Sequence, residues 1–388
     1  MSRIYLDHAA TTPVRPEAEA AMIRCLERFG NPSSLHEYGR RNREVLDRAR
    51  DSLAAALGGR ASEIIFTSGG TESDNLALFG ACRPAFRCNV GKDPKNHLLV
   101  SAIEHHAVLH AAQALAAEGF ELELIPVDRW GRVDPPKVAE MIRPETVLVS
   151  VMLANNEIGT LQRIGEIAEI CHQRGCLIHT DAVQAFGHVP FSVRELGVDL
   201  LSISAHKFGG PIGAGALWVR EGLELRPTFY GGAQERGRRG GTENAPAIAG
   251  MEAAICAWKP SFEEEAARER ELIRTLWKPL EAAPGVWRNT PNQGTLPNIL
   301  NVGFRGIRAE TLLLALDLEG VAASSGSACA SGSMEPSHVL QAIGLPTQDA
   351  HACLRLSVGW TTTFEEVTAA AEIIMAVVSR IGAREKPG

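Results

Sequence analysis

DLLSISAHKFGG, residues 199–210, decides how this chain is read. A continuous apolar run, DLLSIS, breaks at once into a histidine, a lysine and two glycines. Strands covered on both faces read as such runs, because neither face meets water. Lys207 therefore leaves the interior at a flexible turn. Desolvation there lowers an amine's pKa and suits it to Schiff-base chemistry. Alone the pattern is weak, since most lysines are solvated surface charges.

Working outward, EIIFT (63–67), TVLVSVML (146–153) and CLIHTD (176–181) repeat the apolar run followed by polar or glycine-rich residues. Between the runs lie segments with helical spacing: 41–58, 106–119 and 164–175, each closing on glycine. Strands alternating with helices predict an α/β protein with a mostly parallel sheet. A long charged helix, 262–282, follows the apolar segment IAGMEAAICAW, and the domain change is placed near residue 260. Beyond it, PNILNVGF, AETLLLALDLEG and EVTAAAEIIMAVVSRI predict a smaller α+β unit.

Composition narrows the function. The 388 residues are 45% hydrophobic and carry a formal net charge of -7, so no basic excess exists to hold a nucleic-acid backbone. No leader pattern opens the chain and no apolar stretch reaches about 18 residues, so neither export nor a membrane span is expected. Eight cysteines without a repeated CxxC fit a reducing cytoplasm rather than a disulfide framework.

Two further turns carry chemistry. TSGGTESDN (67–75) joins a strand end to a helix start at Thr71, where exposed N–H groups beside glycines suit a phosphate. The plain alternative is a capped helix with Thr71 and Asp74 as a capping box. HTDAVQAFGH (179–188) puts Asp181 at the carboxyl end of a strand, where ligands of open α/β sheets bind, although an N-cap would read the same way. With Lys207 these supply a phosphate cup, an acid for a pyridinium nitrogen and an amine for an aldehyde. That set describes pyridoxal 5'-phosphate.

SSGSACASGS (324–333) surrounds Cys329 with residues too small to anchor it. A buried cysteine behaves as a small hydrophobe, whereas this stretch cannot form a core. Small residues give a mobile segment, and partial exposure near positive groups favours a reactive thiolate.

LDHAATTPV, GNPSSLH, FTSGGTESDN, EHHAV, ANNEIGT, HTDAVQA, SAHK, RGRRGGTEN and SSGSACASGSMEPSHVL occur in order from residue 6 to the segment following Cys329. Together they resemble the cysteine desulfurases of the NifS/IscS group, within the class V aminotransferases. The resemblance implies the pyridoxal-phosphate-dependent transferase fold type I, with a seven-stranded, mostly parallel sheet. It implies a large domain over 15–260 and a small one formed by 1–14 with 261–388, carrying a cysteine loop at about 322–336.

By that resemblance Lys207 is the Schiff-base lysine, and Gly70, Thr71, Ser204 and His206 bind the cofactor phosphate, joined by Thr242 from the other subunit of a homodimer. Asp181 pairs with the pyridinium nitrogen, and Gln184 and Asn156 contact the ring oxygen. His105 stacks on the ring and shuttles protons, a task for an imidazole titrating near neutrality. Arg355 and Asn31 grip the carboxylate of L-cysteine. Cys329 takes the sulfur as a persulfide, leaving L-alanine, and passes it to an iron-sulfur assembly scaffold or another acceptor. Iron at Cys329 would be bound only during hand-off. A resident metal at His105 and His106 is not expected, since adjacent side chains point apart and no HExxH accompanies them.

Two departures bear on partners. After the lysine, members of the group commonly read GPKG where this chain has GGPIGAG, and the chain ends at IGAREKPG without a long extension. RGRRGGTEN and that ending lean toward the nitrogen-fixation type. The rival readings are a selenocysteine lyase, an aminotransferase of the same fold, and a mainly non-catalytic sulfur-relay protein.

Overall fold

The computed structural model describes residues 3–87, 95–325 and 336–384. Its strands are β1 (Ile4–Tyr5), β2 (Ile64–Thr67), β3 (His97–Ser101), β4 (Glu121–Ile125), β5 (Thr146–Ser150), β6 (Leu177–Asp181), β7 (Leu200–Ser204), β8 (Gly215–Val219), β9 (Val286–Arg288), β10 (Ile299–Phe304), β11 (Val321–Ala322) and β12 (Cys353–Ser357). Seven form one sheet in the order β2-β8-β7-β6-β5-β3-β4. From β7 to β4 every neighbour is parallel, and β8 runs antiparallel to β7 and β2. The exception is local: the turn between β7 and β8, through Gly209 and Gly213 at φ +88°, is too short for a parallel crossover.

All four apolar runs read from the sequence are strands, trimmed by a residue or more. The run at 146–153 stops pairing regularly at Ser150. Its last residues still cross to β6, Val151 N–H donating to His179 O and Leu153 N–H to Asp181 O. The helix expected over 41–58 spans Glu37–Leu57. It begins earlier because His36 Nδ1 accepts from Gly39 N–H, and it ends at Gly58 with φ +72°.

Alternation along the strands divides the sheet's two faces. In β3, Leu98 and Val100 pack with Leu76, Val108 and Leu115 of the helices Gly70–Arg87 and His106–Ala117. Leu99 faces the other way, into a cluster with Leu53, Ile167 and Ile255. That is the two-residue period of a strand covered on both sides.

A separate apolar cluster gathers Leu272 and Leu276, Val302, Leu312, Leu356 and Ile374 around the antiparallel sheet β12-β10-β9. Ile4 and Leu6 belong to it, because β1 pairs in parallel with β11. On these grounds we propose the division into 15–260 and 1–14 with 261–388. No helix among the described residues is long and apolar enough to cross a membrane.

Candidate active site

The carboxyl ends of β6 and β7, the start of helix Gly70–Arg87 and the N-terminal segment at Ala9 and Ala10 enclose a cavity of about 400 Å³. The 3₁₀ turn Ala205–Lys207 follows β7 and carries Lys207 straight into it. Lys207 Nζ donates to Ala9 O and Ala10 O, each at 2.7 Å. Burial, helped by the positive charge of Arg355, brings this amine down to about 8.

Gly70, Thr71, Ser204 and His206 all line the cavity. The helix starts at Gly70, one residue before the expected Thr71, and a Cβ on Gly70 would lie 2.8 Å from Val183 Cγ2. The capping box of Thr71 with Asp74 does not form. Instead Glu72 Oε2 accepts from Ser68 N–H at 2.8 Å and Arg239 donates to Glu72, while Asp74, 1% exposed, lines the cavity. His206 Nδ1 lies 3.2 Å from Thr11 Oγ1, and burial, reinforced by Lys207, lowers it to about 4.

Asp181 ends β6 and caps no helix, since residues 183–188 are turn. Its Oδ1 accepts from Val183 N–H at 2.8 Å, and its carboxyl lines the cavity, raised by burial to about 6. Gln184 Nε2 donates to Ala9 O at 2.8 Å, and the backbone carbonyl of Asn156 accepts from Arg355 Nη1 at 3.0 Å. Arg355 also pairs through Nη2 with Asp7 Oδ1 at 2.9 Å. Its Nε is buried without a hydrogen-bond partner among the described residues, as is Asp74 Oδ1.

His105 caps its helix, Nδ1 accepting from Ala107 N–H at 3.1 Å. Burial and the nearby Lys207 charge lower it to about 4, so it is neutral at physiological pH rather than titrating there as expected. His105 and His106 both line the cavity, their ring centroids 6.3 Å apart. His106 stacks on His110 and lies tilted against His338, and no cluster of three or more metal-ligating groups exists among the described residues.

Two expected residues lie elsewhere. Asn31 is exposed in the turn before helix Glu37–Leu57, its Oδ1 accepting from Ser33 N–H, and it is not part of this cavity. Thr242 is exposed and also outside it. Cys329 lies outside the described residues, but Ser324 and His338, on either side of that segment, both line the cavity. Ser324 pairs with Arg355 through backbone hydrogen bonds in both directions.

Sequence reasoning missed the carbonyls of Ala9 and Ala10 that hold Lys207, the ion pair of Asp7 with Arg355, and the buried acids Asp74 and Glu104. The motifs LDHAATTPV, TSGGTESDN and EHHAV signalled the first, third and fourth, but not what each side chain meets.

The cavity suits a phosphorylated aldehyde: a helix start at Gly70, where a Cβ would crowd Val183, for the phosphate, and a desolvated amine, Lys207, for the aldehyde. With the sheet it defines the fold-type-I class of pyridoxal-phosphate enzymes. The family model of aminotransferase class-V matches residues 4–369, and the chain belongs to that family, in the NifS/IscS group of cysteine desulfurases. A relative named cysteine desulfurase IscS, from Dictyoglomus turgidum (strain DSM 6724 / Z-1310), is 46% identical over 384 residues, covering 97% of this chain and 95% of its own. A protein of the same name from Methanosarcina thermophila is 46% identical over 379 residues, 97% of this chain and 92% of that one. A solved structure described as a NifS-like protein superposes with a TM-score of 0.91 at 36% identity, over 97% of this chain and 100% of that chain. SspA in complex with cysteine superposes at 0.81 with 33% identity, over 93% of this chain and 100% of its own.

Proposed function

We propose that this protein is a pyridoxal-phosphate-dependent L-cysteine desulfurase, in which Cys329 receives the sulfur as a persulfide and L-alanine is released. What carries the reading is Lys207, a desolvated amine at the end of a parallel strand that shares its cavity with Asp181, Arg355 and the residues flanking the Cys329 segment.

In this reading Gly70, Thr71, Ser204 and His206 hold the cofactor phosphate, with Thr242 of a second copy completing the grip in a homodimer. Asp181 faces the pyridinium nitrogen, Gln184 and Asn156 the ring oxygen, and His105 the ring face. When bound, the cofactor supplies an electron sink for a carbanion at the substrate Cα. Arg355, freed from Asp7, takes the substrate carboxylate through its planar fork, with Asn31 assisting. Lys207 in its neutral form accepts the Cα proton. Cys329, as thiolate, then attacks the substrate sulfur: an S–S bond forms as the Cβ–S bond breaks, and the carbon skeleton keeps that electron pair and takes up protons to become alanine. The persulfide goes on to an iron-sulfur scaffold protein or another sulfur acceptor, in the reducing cytoplasm that the cysteine usage fits.

Supplied with pyridoxal 5'-phosphate and L-cysteine, the protein should form L-alanine and a persulfide at Cys329, detected by mass spectrometry of the tryptic peptide. Production of a keto acid instead would make it a transferase, and a colourless protein that takes up no cofactor would leave only a sulfur relay.

The Lys207 environment sets a pH dependence. Only the neutral amine attacks an aldehyde, and its pKa lies below the usual lysine value, so cofactor capture by the apoprotein should accelerate with rising pH and level off above about 8. Stopped-flow absorbance measures this. A rate still climbing toward the ordinary value of 10.5 would contradict the desolvated amine.

A further inference from the structure

Asp181 is not alone at its end of the cavity. Asp74, from the first turns of helix Gly70–Arg87, lines the same space and is 1% exposed, against 5% for Asp181. Its Oδ1 has no hydrogen-bond partner among the described residues, and its carboxyl otherwise meets Ser202. The charged groups facing Asp74 are Asp181 and Glu104, both acids, the second completely buried. His179 of β6 lies close by, its Nε2 3.6 Å from Asp74 Oδ1. That ring is already engaged, Nδ1 lying 2.9 Å from Ser150 Oγ and Nε2 3.0 Å from Ser202 Oγ. Burial keeps it neutral, down to about 3.

Buried carboxylates that face one another cannot all ionise, because each charge is desolvated and repels the others. What differs between these is compensation. Asp181 has a backbone N–H donor from Val183 and the Lys207 ammonium facing it, and Asp74 has neither. We propose that Asp74 and Asp181 form a coupled acid pair that keeps a single negative charge at this end of the cavity, with Asp74 holding the proton and Asp181 the charge. Asp74 is thus a positioning residue: it fills the floor beside the charged acid without adding a second charge, and it can take that charge over when Asp181 is lost. Burial raises Asp74 well above the usual carboxylate range and Asp181 only to about 6, in keeping with that order. Coupled sites of this kind titrate as a pair.

The inference rests on the proposed cofactor site only for its second test. The first uses apoprotein carrying carboxyl-labelled aspartate and infrared spectroscopy at neutral pH, where a protonated carboxyl absorbs apart from the ionised surface aspartates. Wild type should show a protonated aspartate band, Asp74→Asn should remove it while the ionised carboxylate of Asp181 stays, and Asp181→Asn should also lose it, because Asp74 then takes over the charge. No such band in wild type, or loss of ionised carboxylate in Asp74→Asn, overturns the pair whatever the cofactor. The second follows the absorbance of bound pyridoxal phosphate against pH. Asp74→Asn, a neutral group for a neutral group, should leave the midpoint in place. Asp181→Asn should lower it by about one unit or more, since an anion favouring the protonated ring is lost. The double variant should fall further, because Asp74 no longer takes over the charge. A midpoint lowered by Asp74→Asn alone, or a double variant matching Asp181→Asn, rejects the proposal. Wild type that binds no cofactor defeats the functional reading instead, and the infrared result still stands by itself.

Discussion

Lys207→Ala is expected to abolish the visible-edge absorbance that the protein acquires with pyridoxal phosphate and to lower alanine formation on the order of 10⁴-fold or more. The physical reason lies in two places. Lys207 is the amine that the cavity desolvates, so no other side chain there can both hold an aldehyde and move the Cα proton. It also donates to Ala9 O and Ala10 O, tying the N-terminal segment to the cavity wall. Those carbonyls lose a charged donor in the variant, so far-UV circular dichroism and thermal unfolding should be recorded alongside. A folded variant with an unchanged cofactor spectrum would rule out the assigned role of Lys207.

Cys329→Ala separates the two halves of the proposed chemistry. It should keep the cofactor absorbance and bind L-cysteine, since Lys207, Asp181 and Arg355 are untouched, yet lose alanine formation on the order of 10³-fold or more. No persulfide should appear on the protein. Among the described cysteines none is placed for this role: Cys25, Cys82, Cys171, Cys176 and Cys353 are buried, and Cys256, though exposed, does not line the cavity. Burial pushes the thiols of Cys82 and Cys353 up to about 12, far from thiolate character at neutral pH. Full turnover by Cys329→Ala with L-cysteine would sink the loop-thiol mechanism.

The strands that could be read were those buried on both faces. β2, β5, β6 and β7 are central or covered, and continuous apolar residues announce them. Edge strand β4, ELELI, alternates with charge and was not singled out, and β8, GALWV, was hidden among glycines. The site showed the same division. Lys207 and Asp181 were legible because each ends an apolar run, so local sequence states both their burial and their place at a strand's carboxyl end. Asp74 was read as half of a capping box, which its spacing from Thr71 permits; only the sheet beneath the helix turns it into the cavity.

By itself, then, the sequence determined the elements, their alternation, and the motifs that place an amine, an acid and a helix start at strand ends, since these follow from periodicity and backbone preference within a few residues. Tertiary structure alone decided what those groups touch. Ala9 and Ala10 meet Lys207 across nearly 200 positions of chain, and Asp7 meets Arg355 across 348. The proposed protonation order of Asp74 and Asp181 depends on burial and on which charges face each carboxyl. Burial and through-space charge are set by packing between distant segments, and no local pattern encodes them.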